Sequence, residues 1–164
     1  MIFVSVGTHE TPFDRLLQAI SELKLDEELV VQHGLSAVRC DGAIEFDYLP
    51  FDRVLDYVRE ARAIVTHAGV GSVMLALANE KRPIVMARRH RFGEAVDDHQ
   101  VELAARLEAT GLVSVVEDSG DLVETLGRGA RPPALDSAGP WLGVSLRAYL
   151  TTRLGEPLGT RNGR

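Results

Sequence analysis

A single cysteine, Cys40, stands in 164 residues. No disulfide can therefore close within the chain, no cysteine-based zinc site can be assembled from it, and a reducing, cytoplasmic setting is expected. Positive charge is not in excess. Eighteen Lys plus Arg against 24 Asp plus Glu leave a net charge of -6 and a pI near 5.4, which argues against broad binding of nucleic acid. No stretch approaches the ~18 apolar residues that would span a bilayer. The opening "MIFVSVGTHE" lacks the basic and apolar regions of a signal peptide, so a chain without a leader is expected.

Several catalytic signatures are missing too. The loop after the first apolar run carries one glycine, so the dinucleotide fingerprint G-x-G-x-x-G is absent there, and no G-x-x-x-x-G-K-[ST] P-loop occurs. Nicotinamide chemistry and Walker-type ATP hydrolysis lose ground accordingly. No two aspartates stand at i, i+2, and the five histidines show no zinc spacing, so neither a D-x-D cation site nor a zinc site is expected. No G-x-S-x-G elbow and no internal repeat is present.

What is present suffices for one domain: 45% of the residues are hydrophobic, enough to bury a single ordinary core. Ile2 to Val6 predicts a strand. A helix follows from Pro12, with Thr11 as its N-cap and Phe13, Leu16, Leu17, Ile20 and Leu23 as its apolar face. Further strands are predicted at Leu29 to Gln32, Ile44 to Leu49, Ala63 to Thr66, Ile84 to Ala87 and Leu112 to Val116. Helices are predicted at Phe51 to Val58, Ser72 to about Asn79, about Asp98 to Ala109 and Leu122 to Leu126. Continuous apolar strands alternating with helices predict an α/β fold, a single Rossmann-like, doubly wound parallel sheet covered on both faces. Residues 1–126 form the predicted domain and 127–154 a linker and amphipathic helix around Trp141 to Leu150, which either packs back or docks a partner. Residues 155–164 read as a disordered tail.

Ligands of such sheets sit outside the carboxyl ends of the strands. Three loops converge there: Gly7-Thr8-His9-Glu10, "HAGVGS" from His67 to Ser72, and "ARRHRFGEAVDDHQ" from Ala87 to Gln100. Each precedes a helix whose first turn offers unpaired N–H groups and positive dipole charge, which suit a phosphate. Gly69 and Gly71 let the backbone approach a ligand, and Ser72 can cap the helix or bond a phosphate oxygen. Glycines are also routine at such turns, and His67 reads equally as a half-buried histidine bonded to backbone. Asp98, His99 and Gln100 suit sugar hydroxyls, with helix capping by Asp97 or Asp98 as the alternative. Arg88, Arg89 and Arg91 read as a solvated loop or as contacts to a lipid diphosphate.

With these loops placed, "MIFVSVGTHETPFDRLL", "EFDYLPFDRVLDYVREARAIVTHAGVGS" and "KRPIVMARRHRFGEAVDDHQVELAARLEATG" resemble the C-terminal, donor-binding half of glycosyltransferase family 28 enzymes of the GT-B fold. Within it, the chain is similar to short bacterial exopolysaccharide and capsule glycosyltransferase subunits, relatives of the cytosolic catalytic subunit of the two-component dolichol-linked N-acetylglucosaminyltransferase. The resemblance implies that Gly7, Thr8 and His9 face the diphosphate of a UDP-sugar. It places His67, Gly69, Gly71 and Ser72 on diphosphate and ribose, the uracil near Phe46 to Leu49, and the sugar against Asp98, His99 and Gln100. It implies neither metal nor other cofactor. Related transferases often carry an acidic ribose ligand where this chain has Leu75.

One Rossmann-like domain is half of a GT-B enzyme. The resemblance therefore implies a membrane-associated, acceptor-binding partner subunit, a lipid-linked sugar acceptor, and a position on the inner face of the membrane reached through that partner. The expected activity is inverting hexosyl transfer, with His9 the one local candidate for catalytic base. A non-catalytic nucleotide-sugar-binding or partner-stabilising subunit is the alternative.

Overall fold

The computed structural model describes residues 1–129 and 132–134; the predicted helix at Trp141 to Leu150 and the tail lie outside these. The elements are β1 (Ile2–Ser5), α1 (Asp14–Ser21), β2 (Leu29–Gln32), β3 (Ile44–Phe46), α2 (Phe51–Glu60), β4 (Ala63–His67), α3 (Val70–Ala78), β5 (Ile84–Met86), a short 3-10 turn (His90–Phe92), α4 (His99–Ala109), β6 (Ser114–Val115) and α5 (Ser119–Gly127). The six strands form one sheet in the order β3-β2-β1-β4-β5-β6, with every pairing parallel. Strand order reverses between β1 and β4, which opens a crevice at their carboxyl ends.

Strand alternation divides the core between two faces. Ile2, Val4, Val31, Val65 and Met86 meet Leu16, Leu17 and Ile20 of α1 and Leu122 and Leu126 of α5. On the other face Phe3, Val30 and Ile64 pack on Leu55 and Val58 of α2 and Leu75 and Ala76 of α3. Val85 packs there on Met74 and Leu77 of α3 and Ala104 and Leu107 of α4. A sheet buried on both sides needs apolar residues at successive positions, and the central strands supply them.

Boundaries depart from the sequence pattern where side chains intervene. α1 begins at Asp14 with Phe13 in the cap position, so Thr11 is not its N-cap and Pro12 lies outside the helix. The Phe13 amide donates instead to Ser36 Oγ at 2.7 Å. β3 ends at Phe46, three residues early, and the carbonyls of Phe46 and Asp47 then accept from the amides of His33 and Gly34. α3 starts at Val70 with Gly69 as cap, which puts Ser72 inside the helix. α5 starts at Ser119 because the Asp118 carboxylate accepts from the Asp121 amide at 2.9 Å.

The largest correction concerns Arg88, which is 0% exposed and not part of a solvated loop. Its Nη1 donates to the carbonyls of Thr11, Pro12 and Glu94 at 2.9, 3.1 and 3.1 Å, and its Nη2 to Val6 at 2.9 Å. The guanidinium lies 4.6 Å from the centroid of the Phe13 ring. Burial lowers its pKa from the ordinary arginine value, against the opposing pull of Glu94. Glu94 in turn accepts two hydrogen bonds from Arg15, at 3.0 and 2.9 Å, and one from the Arg89 amide at 2.9 Å.

Replacing Arg88 with methionine leaves the carbonyls of Val6, Thr11 and Pro12 without donors and that of Glu94 with the Thr11 hydroxyl alone, each orphaned group costing about 1–3 kcal/mol. The Arg88→Met chain is expected to lose at least about 3 kcal/mol of stability, read from the shift in its urea denaturation midpoint.

Candidate functional site

The carboxyl ends of β1, β2 and β4 open into a cleft of about 760 Å³ lined by Ser5, Gly7, Thr8, His9, Glu10, Gln32, Leu49, Phe51, Val54, His67, Gly71, Ser72 and Leu75. Two smaller cavities, of 160 and 330 Å³, meet the opposite edge of the sheet around Arg62 and Arg82. Both guanidiniums there are engaged, Arg62 by Glu27 and Arg82 by the Val113 carbonyl.

The rear wall of the larger cleft is built around one ring. Gly7 adopts φ +78°, in the left-handed region that disfavours other residues, and its amide donates to Ser5 Oγ at 3.2 Å. A Cβ added to Gly7 would lie 2.3 Å from His67 Nε2, and one added to Gly69 would lie 2.0 Å from His67 Cε1. The imidazole is thus wedged between two glycine backbones. Close approach does require these glycines, but the approaching group is His67 of the same chain.

His67 Nε2 lies 3.3 Å from Ser72 Oγ, while its Nδ1 is buried without a hydrogen-bond partner. Burial, reinforced by the positive charge of Arg88 and opposed by Gln100, lowers its pKa to about 4. The ring is neutral near pH 7. Beside it the first turn of α3 presents amides that have no acceptor within the helix, with Gly71 and Ser72 on the cleft surface. Such an end attracts an anion.

The apolar part of the lining is made by Leu49, Phe51 and Val54 together with Leu75, one turn along α3 from Gly71 and Ser72. Gln32 donates from Nε2 to the Gly7 carbonyl at 3.4 Å and keeps a buried Oε1 with no partner. On the rim, His9 Nδ1 accepts from the Thr11 amide at 3.1 Å and meets the Thr11 hydroxyl. Among the described residues, no group of three His, Cys, Asp or Glu is placed to hold a metal ion.

Of the ten residues singled out in the sequence, Gly7, Thr8, His9, His67, Gly71 and Ser72 line this cleft. Gly69 sits beneath the His67 ring. Asp98, His99 and Gln100 do not line it. The Asp98 carboxylate accepts from the His90 amide at 2.9 Å, and Asp97 accepts from the His99 amide at 3.1 Å, while Asp98 holds the cap position of α4 without a side-chain cap bond. The His99 side chain is 82% exposed, and Gln100 Oε1 accepts from the Arg88 amide at 3.3 Å. Ser5 and Gln32 went unnoticed in the sequence, and Glu10 was placed in the first loop without a role. Ser5 and Gln32 each end an otherwise apolar strand, and that interruption was the available signal.

The chain belongs to the family described as glycosyltransferase family 28 C-terminal domain, which matches residues 1–136. No curated protein sequence matches it. Among solved structures it is similar to CalG4, the calicheamicin glycosyltransferase, at TM-score 0.56 and 18% identity over 93% of this chain and 38% of that one. MurG of Acinetobacter baumannii gives TM-score 0.54 and 18% identity over 77% of this chain and 40% of that one. The solution structure of ALG13 gives TM-score 0.57 and 18% identity over 88% of this chain and 94% of that one. The chain thus spans about two fifths of the first two and nearly all of the third. These likenesses show the fold, that of the C-terminal half of a GT-B glycosyltransferase. Among the described residues, no helix is long and apolar enough to cross a membrane.

The His67 ring binds its proton less readily folded than unfolded, where its pKa is about 6.5. Stability is therefore expected to fall as pH drops from about 6.5 towards 4, because the unfolded chain takes up the proton first. Imidazole NMR titration should put the His67 midpoint near 4, and His67→Gln should flatten the pH dependence of stability in that window.

Proposed function

We propose that this chain is the donor-binding, catalytic subunit of a two-component, inverting, metal-independent hexosyltransferase, which moves a sugar from a UDP-sugar to a polyprenyl-diphosphate-linked acceptor in exopolysaccharide or glycan assembly. The observation that carries this reading is the cleft itself: a helix N-terminus, a positive-φ glycine loop and a neutral histidine that share one lining with a set of apolar side chains. The polar part of the lining suits a diphosphate. The slot of Leu49, Phe51, Val54 and Leu75 suits the face of a pyrimidine.

Gly7, Thr8, His9, His67, Gly69, Gly71 and Ser72 form the diphosphate side; on the resemblance, the sugar falls to Asp98, His99 and Gln100, which stand outside the cleft lining. The acceptor hydroxyl attacks the anomeric carbon, the bond to the β-phosphate breaks, and its electron pair leaves with UDP. Backbone amides and the α3 dipole stabilise that growing charge without reorganising. The acceptor proton passes to a base on the partner or, from this chain, to His9. The reading assigns the acceptor half to a membrane-associated partner, on the resemblance to a two-component enzyme. Such a subunit works on the cytoplasmic side, held at the membrane by its partner.

Leu75 favours a second reading. It lines the cleft where relatives often place an acid for the ribose, and a site without that contact suits a non-catalytic nucleotide-sugar-binding subunit. In the reconstituted pair, Gln100→Ala is expected to abolish sugar transfer while leaving the partner bound. Undiminished transfer would exclude the catalytic role given to this edge of the site.

Calorimetric titration of the chain is expected to show saturable UDP binding, weaker binding of ADP, and no binding to Gly71→Trp, whose indole fills the mouth of the α3 turn. Equal affinity for UDP and ADP would contradict the pyrimidine slot.

A further inference from the structure

Among histidines of the cleft, His9 is the one whose protons can be assigned from a backbone contact. Its Nδ1 lies 3.1 Å from the Thr11 amide nitrogen, and a backbone N–H can only donate. Nδ1 must therefore hold a lone pair in that contact, and the neutral ring carries its hydrogen on Nε2. The Thr11 hydroxyl meets the same nitrogen, and its single hydrogen serves either that lone pair or the Glu94 carbonyl.

Thr11 is in no position to release it. Its carbonyl accepts from Arg88 Nη1 at 2.9 Å, and its hydroxyl reaches the Glu94 carbonyl at 3.1 Å. The buried guanidinium thus holds the residue that dictates the tautomer of His9. The outer nitrogen, Nε2, makes no hydrogen bond among the described residues, although His9 lines the cleft and stands near enough to His67 to help lower its pKa.

A general base needs a free lone pair facing the proton it removes. His9 presents the opposite. We propose that His9 acts on this site as a fixed hydrogen-bond donor, its Nε2–H directed at the donor diphosphate and at the charge that grows there as the glycosidic bond breaks, which leaves the acceptor proton to a base on the partner's side. The assignment of the ligand rests on the donor-site reading given above; the assignment of the tautomer does not.

Two measurements on the full chain test this separately. Long-range proton–nitrogen NMR above the imidazole's ordinary pKa of about 6.5 is expected to show His9 as the Nε2–H tautomer, and an Nδ1–H pattern overturns the proposal. Calorimetry with UDP and with uridine then compares wild type, His9→Ala and His9→Gln, the last retaining an amide donor at similar reach. His9→Ala is expected to weaken UDP roughly tenfold, the usual scale of a hydrogen bond to a charged group, with uridine unchanged and His9→Gln recovering most of the loss. Unchanged UDP affinity in His9→Ala, or a parallel loss of uridine, overturns the donor role. Failure of the wild-type chain to bind either nucleotide sinks the donor-site reading and the ligand named here, while the nitrogen spectrum still decides the tautomer.

Discussion

A guanidinium sealed from water can persist only where acceptors converge on it, and in this protein four backbone carbonyls do so around Arg88. Three of them belong to the segment between β1 and α1, and the fourth to the loop after β5. Segments nearly eighty residues apart are thereby held in one arrangement. The first loop cannot relax towards a longer α1, because the Thr11 and Pro12 carbonyls are taken. Glu94 and Arg15 extend the same polar layer along the sheet edge, with Arg15 crossing the rings of Phe13 and Phe92 at 5.4 and 5.2 Å. The cleft is consequently a rigid feature of the strand ends on its polar side, and preorganised donors are what leaving-group stabilisation requires.

The class of the sheet was legible in the residues because the driving force is local, while the strand order came only from the structure. β-branched runs bounded by glycine and proline, alternating with helical spacing, specify a parallel sheet with little ambiguity. The ligand edge was legible for the same topological reason. Helix starts were less so. Thr11 followed by Pro12 is a sound capping signal by itself, yet the contact that overrides it comes from Arg88, and nothing near position 11 announces a partner so distant in sequence. Arg88 shows the same limit from the other side: flanked by Arg89 and Arg91, it reads as one of a solvated cluster, and only the three-dimensional position of Phe13 and four carbonyls separates it from its neighbours.

Glycines at the cleft had two possible explanations, room for a ligand or room for the protein. Geometry decides for the second at Gly7 and Gly69, where His67 occupies the space, while Gly71 remains on the open surface. The uneven fate of two glycines in one six-residue turn could not be told from spacing. Likewise Gln32 and Ser5 looked like ordinary strand ends, although the unpartnered Oε1 of Gln32 marks the floor of the cleft as a place where a buried acceptor awaits a donor.

The wedging of one imidazole between two glycines also bears on how such chains change over generations. Positions 7, 67 and 69 form a single inherited unit: no side chain can arise at either glycine while the ring is there, and once the ring is lost Gly69 is released from its steric constraint, though Gly7 is still restrained by its backbone angle. Descent through this family domain should thus preserve the trio together or dissolve it from position 67 first, a direction of change that the geometry of three residues imposes on its own.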